Sequence, residues 1–510
     1  MTLFLLASLI LLPLKIYSQE YILKSKNENI NEASLNSFGI KKIKVFGPKN
    51  KLIHVRAKKT LSLENEFDIL KKLDLEYIAK NETIQIFPTK TEKSNQKTNQ
   101  WWHEVINSSE AWSITEGSSD IIVGVIDTGV DYRHQDLKDN IALNLAEIPN
   151  NNLDDDNNGY IDDYYGFNFF SNHSDPLDDN GHGTHCAGIV AANGAIKGTA
   201  PGVKILPIKF LDNYGRGDIV KAVEAIDYAI KRGAKILTNS YGSPNPNRAL
   251  KDIIEYAETK GVLFIAAAGN AKNDNDLRGE YPANFNLENV ISVGASNATN
   301  NVASFSNYGA MSVDLFAPGV SIRSTDENNT YKTRSGTSMA TPFVAGAAAL
   351  LMSHNPSLTI YEIKERILDT TNKNRSLYAK SVYPGVLNSY HSLIDKTSFL
   401  NYPISRSEIK AMPIEFSSDS PYENNTVKVY KIRIPNARYL QLQFNFINVE
   451  TAYDFFQIET TNGKILQKVT GHHANSNSLF FPHGELNLRI ISDHSGVDKG
   501  FKITKINYVE

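Results

Sequence analysis

The sequence predicts an α/β fold: an open, mostly parallel sheet with helices on both faces, accompanied by a small α+β unit and an all-β sandwich. Two observations support this. Between about residues 119 and 395, short and nearly continuous apolar runs alternate with helical patterns, which is typical of strands buried on both faces. After residue 396 the helical patterns stop, and alternating, aromatic-rich segments such as 440–446 indicate antiparallel strands.

The composition excludes several classes of protein. The 510 residues carry 53 Lys and Arg against 56 Asp and Glu, so the net charge of −3 gives no basic excess for a nucleic-acid partner. Hydrophobic residues make up 41% of the chain, enough for a substantial core. Cys186 is the single cysteine, which rules out an intrachain disulfide and a cysteine-based zinc site.

The first 18 residues are predicted to be a signal peptide. Their apolar run from residue 3 to 14 is too short to cross ~30 Å of hydrocarbon as a helix. The alternatives are a buried core helix or an uncleaved anchor. We therefore expect a secreted protein, either extracellular or at the cell surface.

Residues 19–90 predict a small α+β unit. Short apolar segments at 43–46 and 52–55 alternate with a helical pattern at 64–73, and a strand pattern follows at 83–87. Residues 91–100 contain no apolar side chain, so they are predicted to form an exposed, protease-sensitive linker.

Residues 101–395 are predicted to form the main domain. Its strand candidates lie at 121–126, 203–210, 235–238, 262–267 and 290–293. A helix after Asp218, the predicted N-cap, carries apolar residues at helical spacing and stops near Gly233. In such a fold, active sites lie at the carboxyl ends of the strands.

Three motifs in this domain contain residues suited to nucleophilic catalysis. Asp127 directly follows the first strand, although alone it would be an ordinary turn residue. His182 lies between two glycines, which permit another chain to approach the imidazole closely. His185 follows three residues later, but no third ligand occurs at zinc spacing.

Ser338 belongs to the third motif, residues 335–342, which leads into an Ala-rich helix. Pro342 suits the first turn of a helix, and this places Ser338 at or near a helix N-terminus. There the serine is either a helix cap or a nucleophile whose oxyanion the helix end stabilises.

The order Asp127, His182, Ser338 with these flanking residues resembles the subtilisin-like serine proteases (subtilases, peptidase family S8) over about residues 119–395. The resemblance implies that Ser338 is the nucleophile, His182 the general base and Asp127 the residue that orients the imidazole. It also implies that Asn270 is the side-chain donor of the oxyanion hole. The implied substrate-binding residues of the first specificity pocket are Ser240, Tyr241, Gly242, Ala267 and Gly269, whereas the pocket floor is not identifiable.

The acidic stretch 154–163 predicts a structural calcium site. Its oxygen-bearing residues alternate around a glycine as in the first half of an EF-hand loop, but position twelve is Tyr165 instead of glutamate. A solvated acidic loop is the alternative. No catalytic metal is expected, and the predicted calcium ligands are Asp154, Asp156, Asn158, the carbonyl of Tyr160, and Asp162.

The flanking units extend the resemblance. The α+β unit is similar to the inhibitory propeptide of subtilases, which implies a zymogen whose mature chain starts near Trp101 after a junction within 88–100. Residues 396–510 resemble CUB domains, without their usual cysteines. In that module Glu450, Asp454 and Asp493 are candidates for a second Ca²⁺, and a plain β-sandwich is the alternative.

The sequence thus predicts a secreted, monomeric, calcium-stabilised serine endopeptidase that acts on proteins or peptides through an acyl-enzyme. The rival hypothesis is a secreted binding protein with an inactive subtilase fold. The presence of all four residues Asp127, His182, Ser338 and Asn270 argues against the rival, since an inactive scaffold has no chemical need for them.

Overall fold

The computed structural model describes residues 19–92, 100–396 and 409–510, apart from gaps at 27–29, 31, 49–50, 451–453, 464, 475–476, 479–480, 482 and 494–497. The predicted signal peptide and most of the predicted linker lie outside the described residues. Within those residues, no helix has the length and apolar character needed to cross a membrane. Contacts divide the chain into two units, residues 1–82 and 83–510.

The first unit contains a four-stranded antiparallel sheet in the order β2-β3-β1-β4 and two helices. Its apolar core is built around Tyr21, Leu23, Val55 and Ile69. The predicted helix at 64–73 is observed as α2, where Ser62 caps the N-terminus by accepting from the Asn65 N–H. The elements are β1 (Gln19–Ser25), α1 (Glu32–Ser37), β2 (Ile40–Phe46), β3 (Leu52–Ala57), α2 (Leu63–Lys72) and β4 (Leu75–Lys80).

The second unit begins with two short strands, β5 (Thr83–Ile86) and β6 (Lys90–Glu92). The sequence assigns them to the first unit and to the linker, but both pair with later strands of the second unit. By contacts, these strands therefore belong to the unit that begins at residue 83. The predicted domain limits otherwise stay predictions.

A nine-stranded sheet forms the centre of the second unit, in the order β18-β19-β15-β14-β13-β11-β7-β9-β8. All its pairs are parallel except β18 with β19, and this confirms the predicted α/β class. The helix predicted after Asp218 is observed as α6, with the Asp218 side chain accepting from the Lys221 N–H at 3.0 Å. From residue 101 to residue 395 the elements are α3 (Trp101–Val105), α4 (Ser108–Trp112), β7 (Ile122–Asp127), β8 (Phe167–Asn168), α5 (His182–Ala191), β9 (Lys204–Lys209), β10 (Arg216–Asp218), α6 (Ile219–Lys231), β11 (Ile236–Asn239), β12 (Tyr241–Gly242), α7 (Arg248–Thr259), β13 (Leu263–Ala267), β14 (Val290–Ser296), β15 (Leu315–Pro318), β16 (Ile322–Asp326), β17 (Thr330–Ser335), α8 (Thr337–His354), α9 (Ile360–Asp369), β18 (Asn372–Lys373), β19 (Gly385–Val386) and α10 (Ser389–Ile394).

Helix α8 passes through the core, and its residues from Thr337 to Met352 are all buried. A helix that is apolar around its whole circumference is typical of such a position. Its N-terminus and that of α5 therefore have fixed positions relative to the sheet.

The C-terminal module is all-β, as predicted. Two four-stranded antiparallel sheets, β20-β27-β22-β25 and β21-β26-β23-β24, enclose a core that includes Phe444, Phe456 and Phe501. Its strands are β20 (Lys410–Ser417), β21 (Val427–Arg433), β22 (Tyr439–Asn448), β23 (Phe455–Glu459), β24 (Ile465–Val469), β25 (His472–Ala474), β26 (Glu485–Ile491) and β27 (Gly500–Val509).

Candidate active site

Asp127 and His182 form a buried pair. Asp127 is the last residue of β7 and His182 the first of α5, so the strand's carboxyl end meets the helix N-terminus. Nδ1 of His182 lies 2.8 Å from Oδ1 of Asp127, which also accepts the N–H of Thr128 at 2.7 Å. Their exposed fractions are 0% and 1%, so the pair is shielded from water.

Asp178 holds the backbone around this pair, and sequence reasoning did not identify it. Its Oδ1 accepts from the Thr128 hydroxyl at 2.8 Å, and its Oδ2 from both the N–H and the hydroxyl of Thr184. One buried carboxylate therefore ties the turn after β7 to the first turn of α5. The acid-rich run before His182 was the available signal.

Glycine is required where α5 meets that turn. A Cβ on Gly183 would lie 2.1 Å from the carbonyl oxygen of Gly129, and Gly129 itself has a φ of 108°. The sequence analysis expected the glycines beside His182 to admit another chain. In the structure, the space beside Gly183 is occupied by the turn at Gly129 of the same chain.

Ser338 is the second residue of α8, close to the predicted position. Pro342 lies in the second turn of the helix, not the first, and it has no N–H to donate to the Ser338 carbonyl four residues earlier. That carbonyl instead accepts from Ser240 Oγ at 3.0 Å and from Cys186 Sγ at 3.4 Å. The missing helical hydrogen bond is thus replaced by two side chains.

The reactive atoms themselves are only weakly bonded. Ser338 Oγ donates to the Ser240 carbonyl over 3.4 Å. Among the described residues, nothing hydrogen-bonds to the buried Nε2 of His182. Cys186 is 1% exposed, and burial raises the pKa of its thiol, as expected for a small core residue.

Asn270 is oriented by the start of α8. Its Oδ1 accepts from the N–H of Thr337 at 2.9 Å and from the Thr337 hydroxyl at 2.8 Å. With the oxygen fixed in this way, Nδ2 points the other way and donates to the carbonyl of Pro88 at 3.0 Å. The predicted oxyanion donor therefore already holds a peptide carbonyl of the same chain.

The segment of residues 83–92, hereafter the threaded segment, runs through the predicted cleft. Strand β5 lies between β10 and β12, with Gln85 opposite Gly242 and Ile86 opposite Tyr241. Strand β6 pairs with β17, which leads directly to α8. Between the two strands the chain passes the start of α8, where a Cβ on Gly336 would lie 3.2 Å from Cγ2 of Thr89.

The pocket next to the threaded segment is occupied by Phe87. A Cβ on Gly242 would lie 2.4 Å from Cζ of this phenylalanine, so the ring rests on the glycine. Ser240 lies between β11 and β12, Ala267 ends β13 and Gly269 follows two residues later. Their role in the first specificity pocket stays a prediction. The Tyr241 side chain is buried in the core instead, where its ring packs on Phe210 and its hydroxyl donates to Asn239.

Three carboxylates converge in the acidic loop. Ligand oxygens of Glu147, Asp154 and Asp156 all lie within 4.8 Å of one another. Glu147 is 3% exposed; its Oε1 accepts the N–H groups of Asp155 and Asp156, while no described residue donates to its buried Oε2. Burial raises the pKa of Glu147, with the neighbouring carboxylates contributing.

The other predicted calcium ligands have different environments. Asp162 uses its carboxylate to accept the N–H groups of Asn151 and Asn152, both at 3.0 Å. Asn158 accepts the N–H of Tyr160 and donates to Asp156. The structure therefore brings Asp154 and Asp156 together with Glu147, which the sequence analysis missed, and orients the Asp162 carboxylate toward the backbone.

The family model described as "Subtilase family" matches residues 118–390, more than half of the chain. The protein belongs to the subtilase family. A CUB-domain model matches residues 406–505, so the C-terminal module is a CUB domain, as the resemblance implied.

Curated relatives cover the same region. The chain is 40% identical over 287 residues to the thermophilic serine proteinase of Bacillus sp. strain AK1, which covers 56% of this chain and 64% of that protein. It is 39% identical over 278 residues to thermitase of Thermoactinomyces vulgaris, covering 54% of this chain and 88% of thermitase.

A third relative is subtilisin-like protease 1 of Plasmodium falciparum (isolate 3D7), 38% identical over 269 residues, or 48% of this chain and 39% of that protein. The chain thus spans less than two thirds of the length of several curated relatives that it matches. The similarity concerns the domain that contains Asp127, His182 and Ser338.

Proposed function

We propose that this subtilase is a secreted serine endopeptidase, made as a zymogen, that hydrolyses peptide bonds of proteins or peptides. One observation carries the proposal: the buried Asp127–His182 pair, at 2.8 Å, lies where β7 ends and α5 begins, in the domain whose α8 carries Ser338. The family match and the amide of Asn270 on a peptide carbonyl support it.

In the proposed reaction, His182 Nε2 takes the proton of Ser338 Oγ as this oxygen attacks the scissile carbonyl. Asp127 keeps the proton on Nδ1, so that Nε2 is the basic nitrogen. The oxyanion is stabilised by Asn270 Nδ2 and the Ser338 N–H. The imidazolium then protonates the leaving amine, and water attacks the acyl-enzyme with the same base, regenerating Ser338.

The threaded segment supports inhibition by the protein's own N-terminal region. It is held as a poor substrate for two reasons. Asn270 binds the carbonyl of Pro88, whereas the pocket holds Phe87, one residue earlier. The bond after Phe87 is also a tertiary amide to proline, with no N–H. The segment therefore blocks the cleft without presenting a well-placed scissile bond.

A structural Ca²⁺ in the acidic loop is part of the proposal. Oxygen ligands suit this ion, and the buried Oε2 of Glu147, unpartnered among the described residues, faces a site with two further carboxylates. Glu147, Asp154 and Asp156 would hold the ion, which neutralises their mutual repulsion. It would act on stability and not on the peptide bond.

A fluorophosphonate probe tests the enzyme against the inactive-scaffold rival. We expect the secreted protein, after processing has removed the N-terminal region, to be labelled at Ser338 and to hydrolyse casein. Ser338→Ala should abolish both signals. Ser353→Ala, on the same helix but hydrogen-bonded to Ala349, is the matched control and should keep both.

N-terminal sequencing of the secreted protein tests the zymogen part. We expect wild-type protein to begin within residues 88–100 and Ser338→Ala to keep its N-terminal unit. A wild-type protein that retains residues 19–87 and remains fully active would contradict inhibition by this region.

A further inference from the structure

Glu280 borders the pocket that holds Phe87. It directly precedes Tyr281, whose backbone exchanges two hydrogen bonds with Ser243, at 2.9 and 2.8 Å, immediately after β12. A Cβ on Gly242 would lie 3.1 Å from the Tyr281 carbonyl oxygen and 2.4 Å from the Phe87 ring. The segment 280–281 therefore lies against the same wall as the phenylalanine.

Gly269, a second residue of the predicted pocket, lies close to the side chain of Glu280. A Cβ on Gly269 would lie 3.3 Å from Cγ of Glu280, and the φ of 106° at Gly269 disfavours any side chain there. Gly269 immediately precedes Asn270. The absence of a side chain on Gly269 thus leaves room for the Glu280 side chain beside the predicted pocket.

Hydrogen bonds hold the backbone of Glu280 in place, whereas its carboxylate accepts none from the described residues. Its N–H donates to the Asn284 side chain at 3.1 Å, and its carbonyl accepts the Asn284 N–H at 2.8 Å. Within the described residues, no hydrogen bond or ion pair reaches the carboxylate. Burial alone raises the pKa of Glu280 to about 7. By contrast, the buried Asp276 receives the Met311 N–H and the Ser312 hydroxyl.

A half-buried carboxylate without a donor is unfavourable, and a cation that enters the same space offsets this cost. Lysine and arginine have an apolar stem that can lie along glycine walls and a charged end that reaches further than a phenyl ring. Phe87 fills the apolar part of the pocket but brings no donor to Glu280.

We propose that Glu280 makes the first specificity pocket selective for lysine or arginine on the acyl side of the scissile bond. The inference rests on the proposed peptidase function and names its substrate class. It also adds a third reason why the threaded segment is a poor substrate: Phe87 is not the side chain that the pocket prefers.

Four chromogenic peptides that differ only at this residue test the inference, with Lys, Arg, Gln or Phe. We expect the processed wild-type enzyme to have its highest kcat/KM on the Lys and Arg peptides. Glu280→Gln, which keeps the shape and removes the charge, should lower kcat/KM on these two by about 100-fold and leave the Phe peptide within a few-fold. Glu255→Gln, on α7 in an ion pair with Lys251 at 3.1 Å, is the matched control and should change neither value.

An unchanged ratio of Lys to Phe cleavage in Glu280→Gln would overturn the proposal, as would a wild-type preference for Phe over Lys. Retained cleavage of the Phe peptide shows that the variant is folded, so a selective loss cannot be attributed to unfolding. If wild type cleaves none of the peptides and Ser338 is not labelled, the peptidase function itself fails, and that outcome is distinct from a failed preference.

Discussion

Two groups of carboxylates in the peptidase domain receive their hydrogen bonds in different ways. Around Asp127, His182 and Asp178, hereafter the catalytic floor, each carboxylate receives donors from neighbouring protein groups. In the acidic loop, Glu147, Asp154 and Asp156 face one another, and Oε2 of Glu147 receives no donor among the described residues.

The two regions therefore differ in what is expected to hold their carboxylates in place. The catalytic floor is complete with protein atoms, so its geometry is set by folding alone. The acidic loop brings three carboxylates together, and one oxygen of Glu147 receives no described donor, so we expect its stability to depend on a cation. Substitutions in the floor should change activity, whereas substitutions in the loop should change stability in a calcium-dependent way.

The largest expected effect is that of Asp127→Asn. The amide cannot keep the His182 proton on Nδ1, and we expect kcat to fall about 10⁴-fold, the size of loss known for the equivalent change in a serine-protease triad. Casein hydrolysis by processed enzyme measures it, with the exposed Asp120→Asn as control. A loss below tenfold would show that the floor does not orient the base.

Chelation is the next test, since it removes the cation that the acidic loop is predicted to hold. In the Ser338→Ala background, which prevents self-digestion, removal of Ca²⁺ should cost about 3 kcal/mol if the ion was present at 100 times its Kd. The thermal midpoint should fall by about 5–10 °C. Glu147→Gln should remove most of this dependence. If EDTA leaves the thermal midpoint unchanged, the stability of the acidic loop does not depend on Ca²⁺, and the proposed difference between the two regions is wrong.

Asp178→Asn should destabilise the fold by about 2 kcal/mol without calcium dependence. Its two oxygens accept four donors, from Thr128, Thr184 and Asn180, and an amide nitrogen would face at least one of them. Denaturant unfolding at saturating Ca²⁺, again in the inactive background, measures the change. If EDTA enlarges the difference between variant and wild type, the floor and the loop are coupled and the comparison fails.

The smallest effect concerns pH. Burial raises the pKa of Glu147 above its usual 4.5, so without a cation the fold favours the protonated acid and loses stability as pH rises above that value. Ca²⁺ binds the deprotonated carboxylate of Glu147 and not the protonated acid. The stabilisation by Ca²⁺ should therefore grow upward from about pH 4.5, by about 1 kcal/mol for each unit of pKa difference. In Glu147→Gln the gain should be flat with pH over this range.

Local patterns predicted much of the fold. The buried parallel strands, the α6 helix with its Asp218 cap and the all-β module follow from periodicity within single segments. The strand at 83–86 was also predicted, but its partners were not, because β10 and β12 lie more than 130 residues away in the chain. Pairing between distant segments depends on the completed fold.

In the candidate site, too, the sequence was informative only where a local motif marks a residue. Asp127, His182, Ser338 and Asn270 could be predicted as site residues because each stands in a distinctive short motif. Glu147 lies outside the acidic stretch that was searched for alternating ligands, and Glu280 lies ten residues after Asn270 in a segment without a motif. Pro342 was placed in the first turn because a proline normally marks one, whereas α8 starts five residues earlier.

The threaded segment also has a kinetic consequence. Because it is joined to the domain whose cleft it occupies, it competes with any substrate at an effective concentration in the millimolar range for a short tether. Dilution does not weaken an intramolecular competitor, so in the proposed zymogen we expect inhibition to be independent of protein concentration. Cutting the tether turns this into an ordinary bimolecular equilibrium, in which dilution after secretion favours the open cleft.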